Sequence, residues 1–367
     1  MTNNAQDLYA LGQSIWYDNI ERRLLTNGEL KTMVEDGTIY GVTSNPSIFH
    51  NAIANSSDYD GELERLAKDG LDANAIFDQL AIQDIQAATD LFLPLYETTQ
   101  AGDGYVSIEV HPDYARDTEK TISEAARLWE AVARPNLMVK IPATREGLPA
   151  IRQSIAAGIN INITLIFSQK RYIEVMEAYI AGLEDRLKMG ESIDNIASVA
   201  SFFVSRIDSK IDKLLLANGT PPALDLMGKV AIANAKQAYQ LFGQTFATER
   251  FSVLAAAGAR KQRPLWASTS TKNPEYSDVL YVDELIGPES VNTIPPKTLE
   301  AFKDHGHPAH KIETELESAN EVIISLEQLG ISLDDATAQL ENDGVAAFSK
   351  AIHALLATIE ERSKTLA

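Results

Sequence analysis

Residues 136–168 read NLMVKIPATREGLPAIRQSIAAGININITLIFS. Two short β-rich runs, NLMVKIP and NINITLIFS, bracket a segment of helical character, and both carry polar residues where a strand covered on both faces should be dry. In the second run Asn160, Asn162 and Thr164 alternate with Ile159, Ile161 and Ile163, which puts the polar set on one face and the isoleucines on the other. In the first, Lys140 lies inside an apolar run that ends at Pro142.

The same pattern recurs outward in both directions, in QSIWYDN, TIYGVTSN, GYVSIEV, ASVASFFVS, RPLWAST and ESVNTIPP, with helical segments between. Ser168 opens one such helix and Gly190 closes it. Strands alternating with helices predict a parallel sheet, and eight units predict a closed (β/α)8 TIM barrel. The long intervals after the second and sixth strands hold helical patterns, NAIFDQLAIQDIQAATDLFLPLY and PPALDLMGKVAIANAKQAYQLF, expected as additional helices on the barrel. No fixed repeat or linker divides the chain. The expectation is one barrel over 1–367 with a helical C-terminal extension from about 300 to 367, including an amphipathic helix preceded by Asp343 and Gly344.

Composition narrows the function. Of 367 residues, 45% are hydrophobic and 23% charged, the balance of a folded globular chain. The net charge of −20 opposes binding to nucleic acid or an anionic membrane, so any anion must be held in a local pocket. No cysteine means no thiol nucleophile, disulfide or cysteine metal site. The polar, acidic N-terminus and the lack of an apolar run of about 18 residues predict a cytoplasmic, non-membrane protein.

Polar groups at the C-terminal ends of barrel strands mark active sites. Asp18, Asn45, Glu109, Lys140, Asn162 and Thr164 come from several strands and converge on that mouth. A lysine among apolar neighbours is expected to lose solvation of its charged form and to offer a free amine, which attacks carbonyls to form a Schiff base. One carboxylate can then move the hydroxyl proton of the bond being cleaved, and a second with a hydroxyl can hold water for imine formation and hydrolysis. Asp18, Glu109 and Thr164 suit those tasks, and Asn45 and Asn162 can bind substrate hydroxyls. Asp18 and Glu109 as the acid and base of a barrel glycosidase, or a non-catalytic sugar-phosphate-binding barrel, stay open on these residues alone. His305, His307 and His310 in KDHGHPAHK read as solvated loop residues rather than a metal site.

GVTSNPSIF (41–49) and LMVKIPATREGLPAIRQSI (137–155) resemble the two signature patterns of transaldolases, the second centred on a Schiff-base lysine. The resemblance runs on through VSIEVHP, SFFVSRID, RPLWASTSTKNP and NTIPPKTLEAF, and is closest in kind to the long bacterial members. It implies transfer of a dihydroxyacetone unit from sedoheptulose 7-phosphate or fructose 6-phosphate to glyceraldehyde 3-phosphate or erythrose 4-phosphate, in the non-oxidative pentose phosphate pathway. It implies no metal and no organic cofactor. Release of free dihydroxyacetone, as in fructose-6-phosphate aldolases, is the neighbouring alternative, and a homo-oligomer is left open.

Residue by residue, the resemblance makes Lys140 the nucleophile and Asp18 the general acid/base. It assigns a catalytic water to Glu109 with Thr164, and the bound three-carbon unit to Asn45 and Asn162. Ser201 and Arg206 match a substrate-facing serine and a phosphate-binding arginine. After the seventh strand, short members carry a serine and then an arginine; Ser268, Ser270 and Lys272 stand here, so the second cation is a lysine without bidentate geometry.

Overall fold

Each of the eight β-rich runs contains a strand in the computed structural model, which describes residues 3–366. They are β1 (Gln13–Tyr17), β2 (Gly41–Val42), β3 (Tyr105–Glu109), β4 (Leu137–Pro142), β5 (Ile161–Ile166), β6 (Ser198–Phe203), β7 (Arg263–Ala267) and β8 (Ser290–Ile294). All neighbours are parallel, and β1 pairs with β8 to close the barrel. Strands this short can be buried on both faces because helices cover the outside and side chains fill the inside.

The register brings Glu109 opposite Lys140, Lys140 opposite Asn162, and Pro142 opposite Thr164, so the polar set of β3, β4 and β5 shares the interior. Asn160 departs from the expected grouping. It sits at the lower end of β5, donates to the carbonyls of Pro135 and Leu137, and accepts from the Ala197 amide. Its amide satisfies backbone groups where the strands begin, away from the mouth.

β2 is much shorter than TIYGVTSN suggests, although Tyr40 N still donates to Ile15 O at 2.7 Å and Thr43 N to Tyr17 O at 2.9 Å. Gly41 is required there: a β-carbon would stand 2.8 Å from the Trp16 indole, which fills the interior beside it. β5 is irregular at its top. Leu165 has φ of 60°, and the pairing with β6 shifts between Ile163 and Ile166. A leucine in the left-handed region costs about 1–2 kcal/mol, so the surrounding packing must hold it there.

The long intervals hold helices as expected, Pro46–Ala54, Asp60–Lys68 and Ala73–Thr98 after β2, and Ser205–Asn218, Pro221–Leu224, Val230–Phe246 and Glu249–Ala256 after β6. Ser168 caps Gln169–Lys188 by accepting from Arg171 N at 3.1 Å. The terminal helix starts earlier than Asp343 and Gly344 suggest, running from Leu333 to Leu366 with both residues in its interior. Gly344 serves a close crossing instead of a start: a β-carbon would lie 2.9 Å from Leu165 Cδ2. This helix lies over the barrel mouth, tied to the tops of β3, β5 and β6 through Asp113 with His353, Arg171 with Glu341, and Lys210 with Asp343.

Candidate active site

Val139 and Ile141 flank Lys140 in sequence, but strand alternation turns them to the opposite face. Inside, the ammonium meets polar groups. Lys140 Nζ donates to Ser44 O at 2.9 Å and lies 3.6 Å from Glu109 Oε2, both side chains almost fully buried. The expected apolar setting is therefore a property of the sequence neighbours, and the spatial neighbours are a carbonyl and a carboxylate. Burial pushes the Glu109 carboxyl up to about 7, against the pull of Lys140 and with a further push from Asp18. Among the described residues, Glu109 Oε2 and Thr164 Oγ1 are both buried without a hydrogen-bond partner.

Asp18 extends from the end of β1. Its carboxylate accepts from Thr43 Oγ1 at 2.7 Å, and Thr43 Oγ1 in turn lies 2.5 Å from Thr293 Oγ1 on β8. Burial raises the Asp18 pKa, while the Thr43 hydroxyl and the charges of Lys140, Lys272 and Arg206 oppose it. A carboxyl held in that balance can accept and return a proton.

These groups open into a cavity of about 230 Å³ at the C-terminal face, where Asp18, Asn45, Lys140, Thr164, Ser201, Arg206, Ser268, Ser270 and Lys272 all reach its wall. Asn45 Oδ1 accepts from Ile48 N and caps the helix that follows, leaving its amino group for the cavity. Two predicted residues do not reach the wall. Asn162 lies beneath it, its amide strung between Ser107 Oγ (3.0 Å) and Ser201 Oγ (2.7 Å). Glu109 borders a separate gap of about 30 Å³ between the tops of β2 and β3, together with His111.

The far end of the cavity is cationic. Arg206 stacks 5.2 Å from the Phe203 ring, and Lys272 Nζ donates to Ser270 Oγ at 2.5 Å; among the described residues neither pairs with a carboxylate. Burial lowers the pKa of both, and for Lys272 the charge of Arg206 adds to it. Ser268 takes φ of 55° and turns its hydroxyl to Ser205 at 3.0 Å, which brings the chain back so that Ser270 and Lys272 face the mouth.

The site thus combines a buried lysine on β4 with a carboxylate from β3 and another from the end of β1, and the chain that builds it is similar in sequence to known proteins. The family model described as transaldolase/fructose-6-phosphate aldolase matches residues 15–359. A transaldolase of Trichodesmium erythraeum (strain IMS101) is 48% identical over 376 residues, covering 100% of this chain and 99% of the relative. Those of Saccharopolyspora erythraea and Thiobacillus denitrificans are 47% and 46% identical, covering 98% and 97% of this chain and 98% and 99% of theirs. The chain belongs to the transaldolase/fructose-6-phosphate aldolase family.

Within this family member, Ser44, Thr293 and Phe348 were not singled out from the sequence. Ser44 contributes only its carbonyl, which no side-chain pattern reveals. Thr43 and Thr293 meet across the barrel seam, 250 positions apart. Phe348 reaches the cavity wall from the terminal helix, and its only sequence signal was membership of an apolar helix face. The three histidines take separate carboxylates: His305, which is the last residue of the helix Pro296–His305 and not a loop residue, with Asp278 at 2.8 Å, His307 with Asp283 at 3.5 Å, and His310 with Glu313 at 2.8 Å.

Proposed function

We propose that this protein is a transaldolase that moves a dihydroxyacetone unit from a ketose phosphate to an aldose phosphate through a Schiff base on Lys140. The observation that carries this is the pairing of Lys140 with the buried Glu109, Lys140 itself lining a cavity that Arg206 and Lys272 also line. The Lys140 amine adds to the ketose carbonyl, and the carbinolamine loses water assisted by Glu109, with Thr164 orienting that water through its free hydroxyl. Asp18 takes the hydroxyl proton as the adjacent C–C bond breaks, and the electron pair passes into the iminium to give an enamine. The enamine then attacks the acceptor aldehyde, Asp18 returns the proton, and water releases the product.

Asn45 and Ser201 hydrogen-bond the three-carbon unit, and Asn162 acts from below by orienting Ser201. Arg206, Ser270 and Lys272 bind the phosphate, with Ser268 shaping the turn that presents them. Nothing at the site favours a glycosidase, since a lysine occupies the space beside Glu109 where a sugar ring would be attacked. We also infer that residues 1–367 act as one barrel unit with the segment from about 300 as its cover, supported by a family match spanning both. No described helix is long and apolar enough to cross a membrane. We infer a cytoplasmic location from the chemistry of phosphorylated sugars.

Borohydride trapping tests the reading. With fructose 6-phosphate, the protein should gain one reduced three-carbon unit on the peptide holding Lys140, and adding glyceraldehyde 3-phosphate before the reductant should remove it. No adduct, or an adduct on another peptide, defeats the mechanism.

A further inference from the structure

The helix Ser205–Asn218 begins with the residues that face the phosphate end, and two aspartates on its next turns have no task in the chemistry above. Asp208 and Asp212 are 1% and 7% exposed. Among the described residues neither is paired with a cation, and burial pushes the Asp208 carboxyl up to about 7. Buried carboxylates without a counter-charge are held by hydrogen bonds, and here all four oxygens are engaged. Asp208 accepts from Ala231 N at 2.7 Å and from the Tyr281 hydroxyl at 2.9 Å; Asp212 accepts from Gly228 N at 3.1 Å and from the Tyr276 hydroxyl at 2.8 Å.

Both tyrosines belong to the connection between β7 and β8, which also carries Ser268, Ser270 and Lys272. That connection meets the helix at a third point, where Ser205 N donates to Ser268 O at 3.0 Å. It is braced internally by Thr271 Oγ1 donating to Ser277 O at 2.8 Å. The Tyr276 ring occupies the place a side chain at residue 228 would take: Gly228 has φ of 71°, and a β-carbon there would lie 2.8 Å from Tyr276 Cζ. The segment is thus pinned at three levels along one helix, and Lys272 hangs between the first and second pins.

We propose that Asp208 and Asp212 are positioning residues for the phosphate group, acting through Tyr281 and Tyr276 to hold Ser270 and Lys272 opposite Arg206. This rests on the phosphate reading given above. The arrangement supplies what a lysine lacks relative to a bidentate arginine: orientation comes from the loop rather than from the side chain.

Steady-state kinetics of Tyr276→Phe, Tyr281→Phe and the double variant should show KM for fructose 6-phosphate rising about tenfold in the double variant. The rate of borohydride trapping with unphosphorylated dihydroxyacetone should stay within about twofold of the parent enzyme. In a Lys272→Ala background the tyrosine substitutions should add little, because the group they position is gone. Equal losses on both substrates, an unchanged KM, or full additivity with Lys272→Ala overturns the proposal. Arg206→Ala run alongside separates the two layers: if it leaves KM for fructose 6-phosphate unchanged, the phosphate reading itself fails, whereas a raised KM with silent tyrosine variants refutes only the positioning role.

Discussion

The two ends of the barrel interior use the same materials to opposite effect. At the lower end Asp103 accepts from Ser14 Oγ at 2.7 Å, Trp16 Nε1 at 3.0 Å and Arg263 Nη2 at 2.9 Å, while Arg263 Nη1 also reaches Ser14. At the mouth Lys140 and Glu109 approach only to 3.6 Å, Glu109 Oε2 and Thr164 Oγ1 lack partners, and Arg206 and Lys272 meet no carboxylate among the described residues. A saturated buried ion pair fixes a structure; an unsaturated one keeps bonding capacity for a substrate, at a cost in stability that the rest of the barrel must cover. The difference lies in the charged groups, since Gln13 Oε1, Asn136 Oδ1 and Gln262 Oε1 near the strand starts are also without partners among the described residues.

Substitutions at the two ends should therefore fail differently. Lys140→Ala should reduce transfer to background while the protein still melts cooperatively; residual transfer above background in a coupled assay would mean another nucleophile. Glu109→Gln should slow imine formation by about 10²-fold, with KM for fructose 6-phosphate shifted far less, as read by single-turnover trapping.

The pH dependence of Glu109 has a definite sign. Its folded-state pKa is raised from 4.5 to about 7, so its contribution to stability is complete below pH 4.5 and is lost as pH rises through about 7. Melting temperatures across that window should fall more steeply for the parent than for Glu109→Gln, and parallel curves would contradict the assignment.

Asp103→Ala should behave in the reverse way. It strips a partly buried arginine of its partner and should destabilise by about 3–5 kcal/mol in denaturant titration, yet leave kcat of the folded fraction nearly unchanged. A large drop in kcat at constant stability would erase the contrast between the two ends. The smallest effect is expected for Arg206→Ala: KM for fructose 6-phosphate up by about tenfold, with unphosphorylated dihydroxyacetone little affected.

Much of this was legible from period and composition. Eight β-rich runs located all eight strands, and the alternation in NINITLIF placed Asn162 and Thr164 on the interior face. Lys140, Asp18 and Thr164 could be found because each is a polar residue breaking an apolar strand. What stayed hidden is long-range or carried by the backbone. The Ser44 carbonyl has no side-chain signature, and the link between Thr43 and Thr293 exists only after closure. Gly344 looked like a helix start because sequence shows a glycine's flexibility and not its neighbour, here Leu165. The apolar environment assigned to Lys140 erred for a related reason, since on a strand adjacent residues face opposite ways.

Closure of β1 against β8 joins residues near 15 to residues near 292, a separation that makes it a slow step in folding. Lys140 and Glu109 lie on sequential strands and can meet early. Asp18 is set by Thr43, which touches Thr293, and by its own amide donating to Ile294 O at 3.0 Å. On the roles proposed above, a chain whose last strand has not yet docked can bring Lys140 and Glu109 together before the contacts that set Asp18 exist. Seam closure is therefore the event that would complete the proposed site.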